Sequence, residues 1–396
     1  MINQEAWALG ATRSCIRELF EYGRHRAALV GEDKIYDFSL GNPSIPAPPQ
    51  VTEAIEQVLA QTDPLSLHGY TSAVGDRNAR AAIAEDLNQR FGTDITPEEL
   101  FLSCGAAPGL CAALKALTCP GEQVLAIAPY FPEYRVFTEN AQAKFQAVGP
   151  DIPDFQLPLD QLAAALTPKT AVVIVNSPNN PSGAVYTEAA LTALAGLLEE
   201  KSREFGRRIY ILSDEPYREL CYDGTRVPFL PTLYPHTVVC YSYSKSLSLP
   251  GERIGYVYVP RQAEQGQKLF LAVAGAARAL GHVCAPSLWQ RVIEKCVHVR
   301  PELTAYDRNR RTLFGGLTRL GYRVVEPKGA FYLFMEAPGG DSQAFSDFAR
   351  GYDVLLVPGD SFGCPGWLRL SYCVRYETIV NSLPLFEEIL RKWNEK

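Results

Sequence analysis

Ser242-Tyr243-Ser244-Lys245-Ser246-Leu247-Ser248-Leu249-Pro250-Gly251-Glu252-Arg253-Ile254-Gly255-Tyr256 follows the apolar run Val238-Val239-Cys240-Tyr241. The run reads as a β-strand, so Lys245 stands just past a strand's carboxyl end. Hydroxyls flank it at Ser242 and Ser244, and Arg253 follows eight residues later. A lysine amine is a useful nucleophile toward an aldehyde only when its position and charge state are controlled. Hydroxyls with an arginine are what a dianionic phosphate needs nearby. Together they suggest a phosphate-bearing aldehyde held as a Schiff base, namely pyridoxal phosphate. The competing reading is a surface lysine in a serine-rich loop.

Outward from this stretch, residues 51–285 alternate between strand and helix patterns. Strands are predicted over 123–128, 171–175, 208–212, 237–241 and 254–259, and helices over 109–117, 159–166 and 188–205. Short apolar strands separated by helices imply an α/β fold with a largely parallel sheet covered on both faces. Upstream lie a helical stretch (12–30), a short strand (35–40) and a proline-rich connector (43–49) that neither helix nor central strand can absorb. Downstream come a polar helix (301–320), strands at 322–325, 330–335, 354–357 and 368–372, and a closing helix (376–393). This tail reads as a second, α+β unit. The expected division is a large domain over 49–285 and a small domain built from 1–48 and 286–396.

Composition narrows the class. The 396 residues are 47% hydrophobic and 21% charged, with net charge −6. That balance suits a globular enzyme and disfavours nonspecific binding to nucleic acid or anionic membrane. None of the ten cysteines forms C-x-x-C, and most lie in apolar segments. They read as reduced core thiols in a cytoplasmic protein, not as a disulfide framework or a metal site. The first twenty residues lack the apolar core of a secretory signal. The longest mid-chain apolar stretch, 269–277, is far short of the ~20 residues that span a bilayer.

Three strand ends carry polar groups. Asn176 to Gly183 follow one strand, Asp214 and Tyr217 another, and Ser242 and Lys245 a third. Sites in open parallel sheets lie at the carboxyl ends of strands. Asp214 could keep a pyridine nitrogen protonated, and Tyr217 and Asn180 could each hydrogen-bond a ring oxygen. Ser103 to Leu110 opens a helix with small residues, where free N–H groups make a phosphate seat. Arg369, within a strand-like run, could grip a carboxylate bidentately. Taken singly, each also reads as a cap, a turn, core packing or an internal salt bridge.

Taken together, these motifs resemble the class I/II pyridoxal-phosphate-dependent aminotransferases of fold type I, the group that includes aspartate aminotransferases. The resemblance runs from about residue 12 to the end. It rests on Leu40-Gly41-Asn42-Pro43, Tyr70 to Gly75, Ser103 to Gly109, Asn176 to Gly183, Asp214 to Tyr217, Ser242 to Gly255, and Arg369, in family order. It implies a large, mostly parallel, seven-stranded-type sheet domain with a smaller α+β domain. It implies Lys245 as the amine that forms the aldimine and moves the substrate's proton, and Asp214 as the partner of the ring nitrogen. Asn180 and Tyr217 would serve the ring oxygen. Ala106, Ala107, Ser242 and Arg253 would hold the phosphate, and Phe131 would stack on the ring, with Tyr130 as the alternative. Arg369 would grip the substrate α-carboxylate, with Gly41 beside it. Tyr70 would reach the phosphate of a neighbouring subunit, which requires a homodimer. The implied reaction is ping-pong exchange of an amino group between an amino acid and a 2-oxo acid. Arg278, eight residues before Pro286, is a candidate for a distal substrate carboxylate. The runner-up is a C–S β-lyase using the same lysine. A cofactor-binding regulator would need a DNA-binding domain for which the N-terminus has no room. No metal is expected.

Overall fold

The computed structural model describes residues 2–12 and 14–396. Met1 and Arg13, which the N-terminal reading includes, lie outside the described residues. Thirteen strands are present among them, beginning with β1 (Tyr36–Asp37). The large sheet takes the next seven: β2 (Leu100–Ser103), β3 (Gln123–Ile127), β4 (Lys144–Val148), β5 (Thr170–Asn176), β6 (Tyr210–Asp214), β7 (Thr237–Ser242) and β8 (Gly255–Tyr258). Their spatial order is β2-β8-β7-β6-β5-β3-β4. Only β8 runs against the others. The loop from β7 to β8 holds Lys245 and a single helical turn, Tyr243–Ser246, so it returns the chain beside β7 antiparallel instead of crossing over the sheet.

Alternation along the strands explains the two covered faces. On β5 every residue is buried. Val172 and Ile174 join the core under helices Ala106–Leu117 and Gly266–Ala279. Val173 and Val175 join the core under helix Glu188–Phe205. Each fully buried Val or Ile contributes about 1.5–3 kcal/mol relative to exposure, which secures strand register and so the position of every strand end.

Two strands of this sheet, β2 and β4, were not among those expected. β2 is four residues of buried Leu-Phe-Leu-Ser, too short for periodicity to register. β4 is an edge strand whose Lys144, Gln146 and Ala147 are exposed, which leaves only Phe145 and Val148 packed into the core. The helix expected over 109–117 begins earlier, at Ala106. Pro108 falls in its first turn, where a missing N–H costs nothing.

The second sheet comprises β9 (Val324–Val325), β10 (Tyr332–Glu336), β12 (Val357–Pro358) and β13 (Trp367–Ser371), all antiparallel, in the order β12-β13-β10-β9. Between β10 and β12 in sequence lies β11 (Val354–Leu355), which pairs with β1. The single strand expected over 354–357 is therefore two, split at Leu356 between different partners. The strand expected over 35–40 shortens to β1. Beyond it the Phe38 N–H bonds to Leu355 O and Phe38 O accepts from the Ser371 N–H, bridging β11 to β13. These contacts carry Ser39, Leu40 and Gly41 to the site. Helix Ser287–Cys296 falls beyond the boundary expected at 285, yet it packs on helices Pro49–Gln61 and Arg77–Phe91 through Val292, Ile293 and Cys296. No described helix is long and apolar enough to cross a membrane.

Candidate active site

Parallel register aligns the carboxyl ends. Asn176 of β5 lies opposite Asp214 of β6, and Asp214 opposite Cys240 of β7. Neighbouring strands stand ~4.8 Å apart, so these three ends supply one compact edge. A cavity of about 310 Å³ opens there, between the large sheet and the second sheet. Lys245, Asp214, Tyr217, Asn180, Ser242, Arg253, Ala106, Ala107, Phe131, Gly41 and Arg369 all line it. Its charged lining is three cations against one carboxylate, Asp214. That balance favours a ligand bearing more than one negative charge.

At one end, Gly105 turns the chain with φ 93° and the helix Ala106–Leu117 begins, leaving its first N–H groups without helical partners. The positive φ favours glycine at 105, and a Cβ there would stand 2.8 Å from Arg253 Nη2. Arg253 itself holds φ 55°, a conformation that costs a side-chain-bearing residue about 1 kcal/mol or more. The Ser242 and Ser244 hydroxyls are 2.7 Å apart. Helix N-terminus, guanidinium and hydroxyls thus converge as an anion seat.

In the middle, half-buried Lys245 donates from Nζ to Gly41 O at 2.7 Å. Burial lowers its pKa to about 8; the nearby Cys373 thiol opposes this, and the Arg369 and Arg253 charges reinforce it. The amine is therefore far closer to its neutral, nucleophilic form than a free lysine. Asp214 is held by Asn176 Nδ2, which donates to its backbone O at 2.8 Å, and by the Tyr134 hydroxyl, which donates to Oδ2 at 2.5 Å. Its other oxygen, Oδ1, is buried without a hydrogen-bond partner. Burial raises the Asp214 pKa to about 7, against the Tyr134 bond and with help from Glu215.

At the far end, Arg369 on β13 is 2% exposed. It donates to Asn180 Oδ1 at 3.2 Å and to Ser39 O, and its guanidinium lies 4.6 Å from the Tyr332 ring centroid and 5.1 Å from that of Phe362. Arg369 Nε has no partner. Because Asn180 Oδ1 accepts from Arg369, the Asn180 NH₂ group is left to donate into the cavity. The Tyr217 hydroxyl pairs with that of Tyr332 at 3.0 Å.

Phe131 lines the cavity, whereas Tyr130 is buried away from it against Phe145, with ring centroids 5.1 Å apart. Tyr70 and Arg278 are exposed and lie outside the cavity of their own chain; Tyr70 is 97% exposed. Sequence reasoning missed Tyr134, Tyr332 and the bracing role of Asn176. Asn176 stood inside a segment already singled out, but only tertiary contact shows what its side chain and that of Tyr134 hold. Ten described cysteines are free thiols, and no described cluster of His, Cys, Asp and Glu could hold a metal.

An orphaned carboxylate oxygen, a softened lysine and an anion seat fit a phosphorylated pyridine aldehyde, and fold and site together define a pyridoxal-phosphate enzyme of fold type I. The chain belongs to the aminotransferase class I and II family, whose model matches residues 33–381. It is 30% identical over 365 residues to an aspartate/prephenate aminotransferase of Thermus thermophilus, covering 88% of this chain and 89% of that one. It is also 30% identical to an aspartate aminotransferase of Thermotoga maritima, over 95% and 97% of the two chains. The crystal structure of an aminotransferase from Eubacterium rectale superposes with TM-score 0.98 at 52% identity, covering 100% of this chain and 99% of that chain. The chain is thus a pyridoxal-phosphate-dependent aminotransferase.

Proposed function

We propose that this enzyme transfers an amino group from an amino acid to a 2-oxo acid by ping-pong exchange, with Lys245 as its central acid–base residue. The observation that carries this reading is the convergence of Lys245 Nζ, the orphaned Asp214 Oδ1 and the half-satisfied Arg369 in one cavity. When bound, pyridoxal phosphate supplies an aldehyde carbon conjugated to an electron-withdrawing pyridine ring. The chain's own residues do the rest. Ala106 and Ala107 N–H groups, Ser242 and Arg253 would hold the phosphate. Phe131, which lines the cavity, would pack on the ring face. Asp214 would face the ring nitrogen and keep its proton in place, and Asn180 and Tyr217 would donate to the ring oxygen. Arg369 binds the substrate α-carboxylate beside Gly41, which orients the Cα–H bond. Lys245 would take that proton and deliver it to the carbon of the cofactor's aldehyde group. An amino acid leaves as its 2-oxo acid, and a second 2-oxo acid departs with the amine.

Exposure of Tyr70 supports its assignment to a neighbouring subunit's phosphate, and hence a homodimer. Arg278, exposed on helix Gly266–Ala279, is assigned on the same basis to a distal substrate carboxylate. Steady-state kinetics of Arg278→Ala test it: an unchanged preference for dicarboxylic over neutral amino acids removes that assignment. Free thiols support a cytoplasmic location. The two-unit organisation belongs to the same reading, with the larger unit drawn to include helix Ser287–Cys296. Borohydride reduction followed by peptide mapping tests the core of it. The label is expected on the peptide containing Lys245, and a label found elsewhere overturns the proposal.

A further inference from the structure

Tyr332, on β10, is buried and touches three members of the site. Its hydroxyl lies 3.0 Å from that of Tyr217. Its ring lies under the Arg369 guanidinium at 4.6 Å. The hydroxyl also packs on Gly41, so closely that any Cβ there would collide with it, and Gly41 O is the acceptor for Lys245 Nζ. The charged and titratable groups facing Tyr217 include Tyr332, Arg369 and Asp214, with Tyr134 also interacting.

The hydrogen-bond inventory of a phenol sets the direction of the pair. Tyr217 has one proton and an oxygen that can accept. Among the described residues its hydroxyl has one hydrogen-bond partner, Tyr332, and the reverse holds for the Tyr332 hydroxyl. A Tyr217 that donates to Tyr332 has nothing left to donate to a ring oxygen. A Tyr217 that accepts from Tyr332 keeps its proton for the cavity, and the accepted bond polarises it into a stronger donor.

We propose that Tyr332 is a positioning residue: its hydroxyl donates to Tyr217 and so commits the Tyr217 proton to the oxygen of the cofactor ring. This rests on the assignment of Tyr217 made above, and the test separates the two. Tyr332→Phe keeps the ring under Arg369 and removes only the hydroxyl. The readout is the midpoint of the pH-dependent visible absorbance of the bound cofactor, without substrate. A weaker donor leaves the ring oxygen more basic, so the midpoint is expected to rise by about 0.5 unit. Tyr217→Phe is expected to raise it further, and the double variant to match Tyr217→Phe alone, since Tyr332 acts through Tyr217. Replacing Tyr332 by 3-fluorotyrosine, a stronger donor of the same shape, is expected to lower the midpoint, and it decides the matter if Tyr332→Phe does not fold. An unmoved midpoint in Tyr332→Phe, or an equal shift in the Tyr217→Phe background, overturns the inference. An unmoved midpoint in Tyr217→Phe overturns the underlying assignment and the inference with it.

Discussion

Replacing Asp214 with Asn in the cofactor-free protein isolates one buried carboxyl and gives a stability change of calculable sign. Its pKa stands at about 7 in the fold, against 3.8 for an ordinary aspartate. Between those values the unfolded chain has released the proton and the folded site still holds it. The folded state therefore binds more protons, and its stability falls as pH rises through that window. A shift of about three units corresponds to roughly 4 kcal/mol between pH 4 and 7.5. Urea unfolding of wild type and Asp214→Asn across this range measures it, because all other groups titrate alike in both proteins. The wild-type advantage should shrink by roughly that amount as pH rises. Difference curves that stay parallel within about 1 kcal/mol would refute the claim that burial, opposed by the Tyr134 bond, holds this carboxyl protonated. Binding the cofactor should abolish the effect, since a cationic ring nitrogen pulls the carboxyl back toward its ionised form.

Other perturbations have equally definite outcomes. Arg369→Lys exchanges a planar fork for a point charge; KM for the amino acid should rise about 10- to 100-fold, as expected for ~1.5–3 kcal/mol of charged hydrogen bonding, with the thermal midpoint little changed. Gly41→Ala forces a methyl group against the Tyr332 hydroxyl and should cost about 1–3 kcal/mol in denaturant unfolding, together with weaker cofactor retention as the Lys245 acceptor moves. The rate at which cofactor-free protein captures pyridoxal phosphate should climb with pH to half its maximum near the Lys245 value of about 8. Stopped-flow absorbance measures it, and a midpoint near the 10.5 of a free lysine would show that burial does not tune the amine.

Much of this was written in one dimension. The β5, β6 and β7 strands were legible because they are continuous apolar runs, and in a parallel sheet the residue after each run must emerge at the same edge. That alone placed Asn180, Asp214, Tyr217, Ser242 and Lys245 together. Arg369 was legible as a charge inside a strand that needs a counterpart. β2 and β4 escaped because one is four residues long and the other has an exposed edge. The split of 354–357 into β11 and β12 escaped because a run of apolar residues does not say which partner each half will choose.

Sequence by itself determined the fold class and the chemical inventory, because periodicity and residue type are local properties of the chain. Only the tertiary structure decided the proton affinities and orientations: the lowered Lys245 pKa, the raised Asp214 pKa, the Asn180 amide turned by Arg369, and the contact of Tyr332 with Tyr217. These depend on burial and on partners distant in the chain, with 115 residues separating the two tyrosines and 189 separating Arg369 from Asn180. Desolvation and hydrogen-bond geometry arise only when such segments pack together.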